Sequence, residues 1–166
     1  MKIPFADIAT NAIKEHFESK PLLDAKSLYE TFPKLKEPGA TFVTLTYDGN
    51  LRGCIGSLEA YRPLLEDLTQ NAKAAAFEDP RFYPLSVEEF AKTSIEVSLL
   101  SSPALLDYTD VNDLKNKITP FEDGVILKLG SRKSTFLPQV WEQLPDFESF
   151  FSHLCQKAGL DENCLE

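Results

Sequence analysis

Histidine is scarce in this chain and cysteine is unpatterned. His16 and His153 are the only two histidines among 166 residues, and they lie at opposite ends. No His-x-x-x-His or His-Glu-x-x-His pair places two imidazoles on one helix face, so no metal site of that kind is expected. Cys54, Cys155 and Cys164 are odd in number and include no Cys-x-x-Cys pair. Neither a zinc knuckle nor a disulfide framework is expected from them. No apolar run approaches the roughly 20 residues needed to cross a bilayer. The opening Met1–Asp7 meets an acidic residue too soon for a secretory leader. The reading is a cytoplasmic, reducing setting with no membrane association. Glycine and proline (7 and 11 residues) are too few for a low-complexity chain. Positive charge is also short. Seventeen Lys and Arg against 26 Asp and Glu leave a net charge of −9, the wrong sign for a field spread over phosphates. Nucleic acid is therefore not the expected partner.

What is present is regular patterning, enough for one domain. Phe5, Ile8, Ala9, Ala12, Ile13 and Phe17 recur at helical spacing, predicting a helix over 4–17. Three prolines in 20–39 leave room for one short helix near Ser27–Phe32. Residues 41–47 alternate, with Val43, Leu45 and Tyr47 on one side, and Asp48-Gly49-Asn50 then turns the chain into a second extended run over 51–58. Leu64, Leu68, Ala72 and Ala75 define a helix over 62–77, which Asp79-Pro80 stops. Ser86 and Glu89 have capping-box spacing. Residues 94–99 alternate again and would bury Ile95, Val97 and Leu99. Beyond them come a helix over 111–118 capped by Asp110, a second hairpin over 125–137 with Arg132-Lys133 in its turn, and a short helical piece carrying Trp141. A last helix sets Phe147, Phe150, Phe151 and Leu154 on one face and ends at Gly159. Strands that arrive as hairpins predict an α+β fold with a mainly antiparallel sheet and flanking helices.

The chemistry-bearing residues cluster by sequence in three places. In Leu51-Arg52-Gly53-Cys54-Ile55-Gly56-Ser57, two glycines interrupt a strand. Either the backbone bulges there or another group, a ligand or a neighbouring helix, approaches too closely to admit a Cβ. If the strand is regular, Arg52, Cys54 and Gly56 share a face, and a guanidinium beside a thiol favours the reactive thiolate. A free cysteine on a strand also serves as a small apolar residue. The second place is Asp79-Pro80-Arg81, a charge pair on a rigid turn that either greets a ligand or caps its own backbone. The third is Glu96, on the polar face between Ser94 and Ser98, needing Arg52 or Arg81 if that face is covered and solvated if it is not. The candidate site is thus Cys54 and Glu96 as reacting groups, with Arg52, Gly53, Gly56, Ser57, Asp79 and Arg81 as the binding surround.

The stretch Leu51–Leu64 resembles the signature of the AMMECR domain family. The likeness continues through Ala74-Ala75-Ala76-Phe77-Glu78-Asp79-Pro80-Arg81-Phe82, Ile95–Ser101, Glu122-Asp123-Gly124, Phe136–Val140 and His153-Leu154-Cys155. The resemblance implies an α+β fold of one domain in two unequal lobes sharing a cleft. It also implies a relative of AmmeMemoRadiSam system protein A, associated with a Memo-like protein and a radical S-adenosylmethionine enzyme. No reaction and no cofactor come with it. The functional expectation is an enzyme or enzyme component of a modification pathway acting on a small substrate around Arg52–Gly56. A non-catalytic interaction subunit is the alternative, and recognition of RNA or a modified base is a further one, requiring Arg52, Arg62 and Arg81 to cluster.

Overall fold

A computed structural model describes residues 2–101 and 103–165. It is α+β with antiparallel sheets, as the hairpin pattern predicts, and the strands form two separate sheets instead of one. The chain divides into two compact units, 1–102 and 103–166.

In the first unit, helix α1 (Phe5–Glu18) is followed by a short α2 (Ala25–Thr31), a 3-10 turn at Pro33–Lys36 and the hairpin of β1 (Ala40–Tyr47) and β2 (Asn50–Gly56). Then come α3 (Leu64–Phe77), the single turn α4 (Val87–Phe90) and β3 (Thr93–Leu100). The strands pair antiparallel in the order β2-β1-β3, which makes β2 and β3 the edges. Alternation along β1 decides which face is buried. Val43 and Leu45 are fully enclosed and, with their cross-strand partners Ile55, Val97 and Ile95, pack into one core with Leu68, Ala72 and Ala75 of α3 and Ile8, Ala12 and Ile13 of α1. The other face carries Phe42, Thr44 and Thr46 beside Cys54 and Gly56, with Ser94, Glu96 and Ser98 of β3 across from them. Leu99, expected inside, is 41% exposed near the end of an edge strand. Pro63 precedes α3 with extended backbone instead of opening its first turn. The capping box of α4 is complete: Ser86 accepts the Glu89 N–H while the Glu89 carboxylate receives the Ser86 N–H.

The second unit contains α5 (Val111–Lys117), the hairpin of β4 (Val125–Leu129) and β5 (Arg132–Phe136), a 3-10 turn at Pro138–Glu142, and α6 (Phe147–Lys157). Asp110 and Asp146 cap the two helices through their carboxylates. Arg132 and Lys133 belong to β5, so the hairpin turn is Gly130-Ser131 and not the basic pair. The core is aromatic. Trp141, fully buried, stacks on Phe150 at 3.7 Å and donates its indole N–H to the Asp123 carbonyl at 2.8 Å. Beyond α6, Gly159 at φ +77° reverses the chain, a conformation that costs an L side chain but not glycine. The reversal brings Cys164 back to Cys155, and the two form a disulfide. This corrects the expectation that no disulfide is written here. Nine residues of separation with no Cys-x-x-Cys signal gives no hint of a pair until the αL turn is known.

Candidate functional site

The polar face of the first sheet is organised in cross-strand rows. Cys54 on β2 sits opposite Thr44 on β1, and Thr44 opposite Glu96 on β3. The Cys54 Sγ lies 3.4 Å from the Thr44 hydroxyl. Cys54 is the one free cysteine, and it is half-buried. Glu96 is exposed and forms no ion pair among the described residues, so neither Arg52 nor Arg81 compensates it. A solvated carboxylate on an open strand needs no partner.

β2 is an edge, and an edge strand leaves backbone groups without a neighbour. At Cys54 two side chains stand in for the missing strand. The Cys54 N–H donates to Asp79 Oδ2 at 3.0 Å, and its carbonyl accepts from Arg81 Nη2 at 3.5 Å. Asp79 and Arg81 are also locked to each other. The Arg81 N–H and Nε donate to Oδ1 at 3.1 and 3.0 Å, and Nη2 donates to Oδ2 at 2.7 Å. Pro80 between them holds the turn that follows α3. The Arg81 guanidinium keeps the Asp79 carboxyl far below the usual carboxylate range; burial opposes this, while the backbone N–H groups of Cys54 and Arg81 add to it. The same pairing raises Arg81, against the opposing effect of burial. The Asp79 side chain is 2% exposed and that of Arg81 54%, so the pair presents its cation to solvent from a buried anchor.

Arg52 has a different fate. The pairing steps from Leu45↔Gly53 to Thr46↔Leu51, leaving Arg52 as the extra residue of a β-bulge. The bulge breaks the regular parity that would set Arg52 beside Cys54. Its guanidinium instead donates Nε and Nη2 to the two oxygens of Glu89 at 2.8 and 3.2 Å, and Nη2 also reaches the Tyr83 carbonyl at 2.7 Å. The Arg52 hydrogen bond draws the Glu89 carboxyl down to about 2. Arg52 thereby fastens β2 to the segment 83–89, and only its Nη1 is buried without a partner.

Packing accounts for both bare positions of the strand. A Cβ on Gly53 would collide with the Ala75 carbonyl of α3, and one on Gly56 with the ring of Phe42 on the neighbouring strand. At Gly53 the close neighbour is the helix backbone; at Gly56 it is an aromatic side chain on the polar face. Ser57 is buried and donates to Asp67 Oδ1 at 2.5 Å. That carboxylate is fully enclosed and gathers the Thr41 N–H and hydroxyl at 2.8 and 2.7 Å, Arg62 Nε at 2.8 Å and Asn71 Nδ2 at 3.1 Å. The network ties β1 to α3. The sequence reading named Ser57 and Arg62 but not the carboxylate that joins them, although Asp67 and Asn71 lie four apart on the apolar stripe of α3, where polar residues call for partners. Thr44 was likewise missed, because a strand's polar face gives no sign of which residue will sit opposite the thiol.

Of the candidate residues, then, the structure joins Cys54, Asp79 and Arg81 directly and aligns Glu96 with them through Thr44. It directs Arg52 to Glu89 and Ser57 to Asp67. Arg52, Arg62 and Arg81 are each paired with a carboxylate. Among the described residues no group of three or more His, Cys, Asp or Glu side chains is placed to hold a metal ion, and no helix is long and apolar enough to cross a membrane.

The AMMECR1 family model matches residues 6–166. The chain belongs to the AMMECR1 family. Similar members include the protein LS215_2104 of Saccharolobus islandicus, 43% identical over 164 residues that cover 95% of this chain and 71% of the relative. A protein of Methanothermobacter thermautotrophicus is 39% identical over 160 residues, covering 95% and 82%. Among solved structures, the uncharacterized protein PH0010 from Pyrococcus horikoshii is similar over 97% of this chain and 81% of that one, with a TM-score of 0.81 and 34% identity. That similarity shows that the two chains share a fold.

Proposed function

We propose that this AMMECR1 protein is an enzyme or enzyme component of a modification pathway, and that it receives a small anionic substrate on the sheet face around Cys54. One observation carries the reading. A half-buried free thiol is held on a rigid strand whose N–H and C=O at that residue are both engaged by the Asp79–Arg81 pair, and the Arg81 guanidinium remains open to solvent. A substrate carboxylate or phosphate pairing with Arg81 would bring its neighbouring electrophilic carbon toward Sγ, since a planar guanidinium fixes the orientation of such anions. Cys54 would attack that carbon as thiolate, the C–S bond forming as the carbon's bond to a leaving group breaks; the Thr44 hydroxyl would hydrogen-bond the sulfur, and Glu96 in the same row would hand the departing group a proton on the solvent side. Asp79 acts as a positioning residue. Gly53, Gly56, Arg52 and Ser57 support the site by letting β2 lie close to α3 and Phe42 and by fastening its two ends.

The pathway reading places the protein in the cytoplasm beside a Memo-like protein and a radical S-adenosylmethionine enzyme. The alternative of a non-catalytic subunit docking through this same face is favoured by one fact: among the described residues no histidine is hydrogen-bonded to Cys54, so the thiol lacks the usual base. Treating the folded protein with iodoacetamide and weighing it intact separates the two. A single adduct on Cys54, formed faster than on free N-acetylcysteine, supports the reactive thiol. A Cys54 that labels only after unfolding leaves the docking surface, which co-purification with the two partners then tests.

A further inference from the structure

The second unit contains a hollow of about 400 Å³ that the reading above does not use. Val111 at the start of α5, Phe147 and Phe151 of α6, and Leu165 give it an apolar floor. The rest of its lining is polar: Glu148, Ser149, Ser152, His153, Glu162 and Asn163. The His153 Nδ1 is 2.7 Å from the Ser149 carbonyl, an atom that can only accept, so Nδ1 carries a proton. Two carboxylates stand on the rim. Glu148 is matched by Lys115 at 3.0 Å, whereas Glu162 has no cation within ion-pair distance among the described residues. The unbalanced charge of the hollow is therefore negative.

One wall, residues 162–165, is loosely tied by hydrogen bonds. The Cys164 N–H reaches the Asp161 carbonyl and the Asn163 N–H its carboxylate, both on the residue just before the segment. What fastens this wall to α6 is the Cys155–Cys164 disulfide, together with Leu165 packed on the aromatic core. We propose that the hollow is a binding site for a small ammonium compound with an apolar body, and that the Cys155–Cys164 disulfide holds it in shape. The hydrocarbon covers Phe147, Phe151 and Leu165, and the ammonium group meets Glu162 on the polar rim. A dithiol reductant opens the site: it gives two electrons and two protons to the S–S bond, yields two cysteine thiols, and is itself oxidised to a disulfide. The wall is then released from α6, and ligand affinity falls with it.

Calorimetric titration of the full chain with 2-phenylethylamine, and with phenylacetate as the charge-reversed control, tests the proposal. The amine is expected to bind saturably, with phenylacetate and the Glu162→Gln variant each weaker by about fivefold or more, around 1 kcal/mol. Reduction with dithiothreitol, or the Cys164→Ser variant, is expected to weaken the amine by a similar factor. Should reduction unfold the unit, Leu165→Ala removes the same wall with the disulfide intact and must also weaken binding. No saturable binding of the amine below about 10 mM, an affinity too weak to register as a site, overturns the proposal. Equal affinity for phenylacetate, or indifference to Glu162→Gln, overturns its charge preference. Affinity unchanged by reduction overturns the role given to the disulfide.

Discussion

The Asp79 carboxylate accepts the backbone N–H of Cys54 at 3.0 Å, so an edge strand of the sheet is completed by a side chain at the residue that carries the only free thiol. The arrangement fixes the backbone of Cys54 without covering it with another strand. It also makes the geometry of the thiol depend on a carboxylate that lies 25 residues further along the chain.

Replacing Asp79 by alanine should therefore do more than remove an ion pair. It leaves the Cys54 N–H unsatisfied and strips Arg81 of its anchor, a loss of about 2–3 kcal/mol for a buried, multiply bonded group. Because the Arg81 side chain is 54% exposed, Arg81→Gln should cost less, even though it leaves the Asp79 carboxylate without its cation. Urea denaturation midpoints of the two variants against the parent protein give the comparison.

Acid should weaken the fold in a definite window. In the folded chain Glu89 titrates at about 2, drawn down first by the Arg52 hydrogen bond, and Asp79 lower still, drawn down first by Arg81. Both ordinary values are higher, so as pH falls the unfolded chain takes up protons before the folded one. The stabilisation is fully present above about pH 5 and is lost as acid carries the protein toward the folded values. Thermal melts should be flat from neutral pH to about 5 and then fall, with a shallower fall for Glu89→Gln, which has already lost its share at neutral pH. A melting temperature that rises on acidification below that window would contradict the pairing.

The two glycines of the strand should differ when filled. Gly53→Ala drives a methyl into the Ala75 carbonyl, which is helix backbone and has nowhere to go, so a loss at the upper end of about 1–3 kcal/mol or beyond is expected. The atoms nearest to a methyl at Gly56→Ala are all of the Phe42 ring, so pairing it with Phe42→Val should recover most of its cost. A double-mutant cycle read by denaturation tests this: a strongly favourable coupling between positions 42 and 56 is expected, and additivity would contradict it.

Reducing the Cys155–Cys164 bond frees a short loop, and the chain-entropy cost for about ten residues is roughly 2–3 kcal/mol. Melting of the untreated and the dithiothreitol-treated protein measures it.

Much of this was legible from the residues. The alternation of Val43, Leu45 and Tyr47, the Asp48-Gly49 turn, the stripe of α3 and the Ser86–Glu89 box are local signals, and the structure places strand, turn and helix where they indicate. Asp79-Pro80-Arg81 was legible as a charged turn but not as a strand surrogate, because its partner lies on β2. A bulge was one of the two readings of the glycine-interrupted strand, but its place at Arg52 was not legible, because the guanidinium's partners Glu89 and Tyr83 lie on a distant segment that no spacing within the strand encodes. Asp67 was read past because the apolar periodicity of α3 is satisfied without it. The disulfide depended on a left-handed turn at Gly159, and the separation of its cysteines carries no pairing signal of its own.

The most direct measurement on the functional reading compares how fast the folded protein is alkylated at Cys54 by iodoacetate, an anion, and by iodoacetamide, its neutral counterpart. If Arg81 receives the anionic part of a substrate beside the thiol, the ratio of the two rates should exceed that of free N-acetylcysteine by about fivefold or more at low salt, and Arg81→Gln should return it to the free-thiol ratio. A ratio equal to that of the free thiol in the parent protein, unchanged by Arg81→Gln, would show that the cation beside Cys54 recruits nothing.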